Sequence, residues 1–239
     1  MRMLTPTLLF LIVLLIGALV IGCSLLMTSE PQLGMYSYTH KRHYHGPAVR
    51  VIPIWVDKNF GSADHLQIDA AVGQWNYALN GYVVLRVVDN QFDMEVEKIQ
   101  ESQRRNGWLF MKIDANNPMV PVQKVGVGVT LGFANKVGGN HMYLVRDRLD
   151  NDAVFGVTMH EIGHLLGAEH VGNRLMFKHF SRARFQCVDR ASLEAVAHYQ
   201  GISADDLNYC VDKGNEASNK TPSDSKDDVI DCPVESDHL

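Results

Sequence analysis

The chain has 239 residues, 46% of them hydrophobic and 21% charged, which suits one good-sized domain with tails and a buried core. Formal net charge is −5, and the excess sits at one end: residues 212–239 carry eight acidic side chains against three lysines, while the rest holds 19 of each sign. The absence of any basic stripe argues against nucleic acid as a partner.

In chain order, the first element is an apolar run from Leu8 to Cys23 behind a single early arginine. Residues 1–27 therefore read as an export signal or an uncleaved membrane anchor. Val20-Ile21-Gly22-Cys23 resembles the bacterial lipobox, which makes Cys23 the candidate lipidation site; an uncleaved helix is the alternative. Both place the protein outside the cytoplasm and tethered to a membrane. Disulfides are allowed there. With Cys23 set aside, Cys187 and Cys210 bracket an expected helix and form the preferred bridge, leaving Cys232 free or substituting for one of them. Residues 28–46 read as a polar spacer, with His40, His43 and His45 as solvated side chains rather than a metal site.

The folded domain is expected over 47–211. "AVRVIPIWVD" (48–57) alternates like a strand, and Pro53 argues for an edge position or a bulge. Residues 62–81 place Leu66, Ile68, Ala71, Val72, Trp75 and Leu79 near helical spacing, with Ser62 as cap and Gly81 closing. "YVVLRVVD" (82–89) and "WLFMKIDA" (108–115) read as strands flanking a polar insertion. "KVGVGVTLGFA" (124–134) and "HMYLVRD" (141–147) supply two more, joined by "NKVGGN". A helix capped by Asn151 or Asp152 follows, then a shorter one around 189–200. The expectation is an α/β (α+β) domain with a mixed twisted sheet.

The second long helix carries "HEIGHLLGAEH" (160–170). Residues four apart share a helix face, with Cβ atoms about 6 Å apart, so His160 and His164 can address one point. Two imidazoles at that spacing suit tetrahedral zinc, and Glu161 beside them can reach a water there without being a ligand. On a continuing helix His170 would lie about 600° round from His164, on the wrong face. Gly167 tolerates positive φ, ends the helix and lets the chain bring His170 back. Three imidazoles then fill three corners, and the fourth stays open. A closed structural site would recruit another Cys or His and has no use for Glu161.

H-E-x-x-H-x-x-G-x-x-H is the signature of the metzincin metalloproteases, and every fixed position is filled here. With Met176 in "NRLMFKHF" and the helix-like "DRASLEAVAHYQG" (189–201), residues 47–201 look most like the matrixin branch. The resemblance implies a metzincin-like zincin fold with an active-site helix and a C-terminal helix, a methionine turn at Met176, one catalytic zinc, and a peptide or protein substrate. It also implies that Gly126, Val127, Gly128, Val129 and Thr130 form a substrate-aligning strand; a bulged strand without that role is equally open. In the implied mechanism Glu161 is general base and then general acid. Departures are visible. Phe177-Lys178-His179 replaces the matrixin proline after the methionine, and Lys178 stands where astacin-like members have tyrosine. No inhibitory cysteine segment is recognised before Pro47. His141 stands where matrixins bind a second, structural zinc, but its companions are not evident, and nothing supports a structural calcium either.

Two other classes stay open: a catalytically idle zinc protein that binds a partner through its cleft, and a metallohydrolase acting on a non-peptide bond. The acidic tail, 212–239, reads as disordered, with Asp224, Asp227, Asp228 and Asp231 a solvated run rather than a calcium site. Oligomeric state is not legible.

Overall fold

The computed structural model describes residues 36–92, 107–121, 129–180, 187–212 and 230–231, all within the unit Leu33–Leu239. The elements are β1 (Tyr36–Tyr38), β2 (Arg50–Asp57), α1 (Ser62–Ala78), β3 (Val83–Phe92), β4 (Trp108–Ile113), β5 (Gly132–Ala134) and β6 (His141–Val145). After them come α2 (Asn151–Leu165), β7 (His179–Phe180), α3 (Arg190–Gln200), β8 (Cys210–Asp212) and β9 (Ile230–Asp231). Five strands form a mixed sheet in the order β3-β2-β4-β6-β5, parallel except for β5, which runs antiparallel to β6 at one edge. Helices and mixed sheet together are the α+β class that the sequence predicts.

Period-two alternation explains the layers. In β4, Trp108 and Phe110 join the main core with α1 and α2, whereas Leu109, Met111 and Ile113 join a second cluster with Val120, Phe133, Tyr143 and Val145. β6 divides the same way, with Met142 and Leu144 on the first face and Tyr143 and Val145 on the second. Burial on both faces is why these strands read as nearly continuous apolar runs. The helical face is anchored by Trp75, fully buried, whose indole N–H donates to the Met159 carbonyl at 2.8 Å. That contact ties α1 to the helix carrying the histidines.

Several local expectations shift. Gly61, not Ser62, occupies the cap of α1, and its N–H donates to Asp64 Oδ2 at 3.2 Å. Asp150, one residue before the expected pair, caps α2 by accepting from the Ala153 N–H at 2.9 Å. Pro53 lies in an interior strand, since β2 has β3 and β4 on either side. It is tolerated because β4 begins pairing only at Ile54, and a register shift against β3 follows directly. No ladder donor is therefore missed on the β4 side at Pro53. The insertion at 95–106 and the anchor at 1–27, Cys23 included, lie outside the described residues. Among the described residues no helix is long and apolar enough to cross a membrane.

Residues 36–46, expected as spacer, pack on the domain instead. β1 pairs antiparallel with β8, so Tyr38 lies opposite Cys210. The buried Tyr38 hydroxyl donates to Gln74 Oε1 at 3.0 Å and accepts from the Val188 N–H at 3.2 Å. Further along, Asn80 Nδ2 donates to the Arg42 carbonyl at 3.0 Å, and Tyr44 stacks on Tyr82 at 4.0 Å between centroids. These are contacts across long sequence separations, which no local period announces. The expected Cys187–Cys210 bridge is present and joins the head of α3 to β8; Cys232 lies outside the described residues. Tyr38→Phe keeps the ring but orphans the Val188 N–H and Gln74, and should cost about 1–3 kcal/mol. Urea unfolding of the full chain measures this; an unchanged midpoint would mean the segment is not part of the cooperative fold.

Candidate metal centre

Helix α2 delivers His160 and His164 one turn apart, both buried, and the two Nε2 atoms lie 3.1 Å from each other. Their rings meet edge to face, 4.7 Å between centroids. Leu165 is the last helical residue and Leu166 its C-cap; Gly167 then takes φ +104° and its N–H donates to the His164 carbonyl at 3.0 Å. Left-handed backbone at this point is what turns the chain out of the helix, as the glycine in the motif predicts. Tyr199 of α3 also fills the space where any Cβ on Gly167 would go. Beyond the turn, His170 places its ring 4.8 Å from that of His164 and 5.4 Å from that of His160. The candidate ligand atoms of all three histidines lie within 4.8 Å of one another, with His170 the exposed member.

The buried pair is held in one tautomer by backbone carbonyls. His160 Nδ1 meets the Leu175 carbonyl at 2.5 Å, and His164 Nδ1 meets the Ala168 carbonyl at 2.7 Å. A carbonyl only accepts, so each Nδ1 carries the proton and each Nε2 is left with a bare lone pair. Two lone pairs facing each other at 3.1 Å in the protein interior repel unless a cation lies between them. Burial, followed by the neighbouring histidines, pushes His164 down to about 3 and His160 well below its ordinary value, so protonation does not supply that cation at neutral pH. A tetrahedral zinc site has ligand atoms about 3.3 Å apart, and only His170, on the solvent side, needs to close in. Three neutral imidazoles of this kind could hold a metal ion, and the donor chemistry fits zinc.

Glu161 is fully buried beside the pair. Neither carboxylate oxygen has a hydrogen-bond partner among the described residues. Burial drives its carboxyl well above the ordinary range, and the Ala134 amide opposes this only from outside good hydrogen-bond geometry. β5 passes close by: a Cβ added to Gly132 would sit 3.3 Å from Glu161 Oε1.

The floor of the site is the turn at Met176, which is fully buried. The Met176 carbonyl accepts from the Val171 N–H at 2.9 Å, closing the loop that follows His170. Met176 approaches α2 at Gly163, where any Cβ would collide with its sulfur. Asp189, the cap of α3, accepts from the Leu175 N–H at 3.1 Å and from the Ser192 hydroxyl at 2.6 Å. Asp189 thereby fixes the Leu175 peptide whose carbonyl orients His160. Sequence reading missed both Gly163 and Asp189. Their signals were present: an isolated glycine inside a helix, and an aspartate three residues before Ser192 at a helix start.

The other predicted residues scatter. Gly126, Val127 and Gly128 lie outside the described residues. Val129 and Thr130 lie in no strand. The Thr130 carbonyl is taken by Arg148 Nη1 at 2.8 Å instead of a ladder partner, and the edge strand starts only at Gly132. His141 opens β6 and contacts Asn140 Oδ1 at 2.6 Å. His40 meets the Tyr77 hydroxyl at 2.8 Å, and His43 meets Asn80 Oδ1 at 3.3 Å. Among the described residues the His160, His164 and His170 group is the one with metal-binding spacing. His179 opens β7, while Lys178 lies just before it. The chain matches no protein-family model and no curated protein.

The histidine and glutamate shifts have opposite signs in the metal-free protein. A histidine depressed below about 6.5 stabilises the fold above that pH and loses its contribution as pH falls. Glu161, raised, does the reverse and destabilises as pH rises through the ordinary carboxylate range. Glu161→Gln isolates the imidazoles. Stability of that metal-free variant should fall steadily from pH 6.5 to about 5, a window above ordinary carboxylate titration. Chemical denaturation measures it, and a flat profile would contradict neutral buried imidazoles.

Proposed function

We propose that the chain is a zinc-dependent metalloendopeptidase of the metzincin type, most like the matrixins. The observation that carries this reading is the pairing of three convergent imidazoles with a buried, partnerless carboxylate next to them. Zinc bound by His160, His164 and His170 would supply Lewis acidity, polarising a carbonyl and bringing the pKa of a water to about 7.

The remaining work belongs to the chain. Glu161, with its carboxyl raised by burial, is suited to take a proton from the attacking water near neutral pH and pass it to the leaving amine. An idle binding protein has no use for such a group, because an unpaired buried carboxylate costs stability. β5, at the sheet edge and against Glu161, offers main-chain groups on which an extended peptide could align as an added strand. β5 is the C-terminal end of the stretch expected in that role, of which residues 126–128 lie outside the described residues. His170 is the exposed member of the group, so a metal held there would face solvent and could meet a substrate. Residues 1–27 would tether the domain to a membrane outside the cytoplasm.

Glu161→Ala should lower the rate of peptide hydrolysis at least about a thousandfold, roughly 4 kcal/mol of barrier, while metal content stays unchanged. Assaying the full-length protein on a peptide library, with and without a chelator, tests it. Cleavage by the variant at the parental rate would remove Glu161 as the base. Chelator-resistant cleavage would remove the metal.

A further inference from the structure

Helix α2 ends in a closed, hydrogen-bonded turn. The Gly167 N–H donates to the His164 carbonyl at 3.0 Å and the Ala168 N–H to the Gly163 carbonyl at 2.9 Å, the paired pattern of a Schellman motif. The next group along the chain is the Ala168 carbonyl, the acceptor that orients His164. His170 follows two residues later. One turn of backbone therefore aims one imidazole and launches another.

Three contacts from elsewhere in the chain hold that turn. The His164 carbonyl takes a second N–H, from Gly138 at 2.8 Å, in the loop between β5 and β6. Gln200 Nε2 donates to the Leu166 carbonyl at 2.7 Å, filling one of the acceptors that a helix end leaves open. Tyr199 joins the two pieces. A Cβ on Gly167 would collide with the near side of its ring, and a Cβ on Gly138 with its hydroxyl end. Both glycines also take positive φ, +104° and +67°. The ring thus lies across the two glycines whose N–H groups converge on His164. Core packing does not account for this placement: Tyr199 is 52% exposed, while Leu193, Val196 and Ala197 form the buried side of α3.

We propose that Tyr199 is a positioning residue of the metal centre. Its ring clamps the turn 166–168 to the loop at Gly138, which keeps the Ala168 carbonyl on His164 and fixes the point from which His170 returns. Asp189, the cap of α3, does the corresponding work for His160 through the Leu175 peptide. Helix α3 thereby sets both buried imidazoles, one from each of its ends. The assignment rests on the metal reading of the three histidines and adds to it the side chain that holds their geometry.

Zinc affinity and amide exchange, both on the full-length protein, test it together. Tyr199→Ala should weaken zinc binding about 10–100-fold in competition with a chelator. In the metal-free state it should speed exchange of the Gly138, Gly167 and Ala168 amides at least about tenfold. The Leu175 amide, held by Asp189, should exchange as in the parent, which separates a loosened clamp from a loosened fold. Tyr199→Phe keeps the ring and should restore both readouts. Parental zinc affinity in Tyr199→Ala, equal acceleration at Leu175, or a Phe variant as weak as the Ala variant overturns the assignment alone. A parent protein that binds no zinc sinks the metal reading and this assignment with it. Absence of peptide cleavage by a zinc-loaded parent counts against the peptidase reading and leaves both readouts to decide the role of Tyr199.

Discussion

Two backbone carbonyls, those of Leu175 and Ala168, accept the Nδ1 protons of His160 and His164 and so decide where the remaining lone pairs point. Everything proposed for the site depends on this. Neutral imidazole has one N–H; once a carbonyl holds it, the other nitrogen can only accept. Within a buried core that leaves two acceptors face to face, an arrangement that favours a cation and that water has little room to relieve. Removing a group that orients a metal ligand in this way ordinarily costs about 10–100-fold in metal affinity.

Much of the fold can be traced to holding those carbonyls still. The Leu175 peptide is tied to Asp189 at the head of α3, and Asp189 sits two residues from Cys187, which is bridged to Cys210 in β8. β8 pairs with β1, and Tyr38 of β1 reaches across to the Val188 amide. The N-terminal segment, the disulfide and the last helix thus form one brace behind the methionine turn. On the opposite side, Trp75 fixes α2 through Met159, the residue just before His160. The Ala168 carbonyl is placed by the left-handed turn at Gly167, which also receives Tyr199. A single substitution in this brace would act on the three imidazoles through geometry, without touching them.

What the sequence makes legible follows from range. The histidine motif and the turn at Gly167 are local, encoded in eleven consecutive residues, and the structure brings the three rings together as their spacing predicts. Strands β4 and β6 are legible because each is a short, nearly continuous apolar run, a signal contained within one segment. Pro53 misleads because its cost depends on where β4 starts, a fact held elsewhere in the chain. Residues 36–46 and Ile230–Asp231 escape notice for the same reason, since their partners lie far away in sequence. The stretch at 129–130 is rich in strand-forming residues, yet Arg148 claims the Thr130 carbonyl, and tertiary context overrides propensity.

The most direct test is metal analysis joined to X-ray absorption on the purified full-length protein. The prediction is one zinc per chain in a shell of three imidazole nitrogens at about 2.0–2.1 Å plus one light atom, with loss of binding in His160→Ala or His164→Ala. Protein that takes up no transition metal when supplied with it, or a shell containing sulfur or fewer than three imidazoles, would contradict a site built from residues 160, 164 and 170.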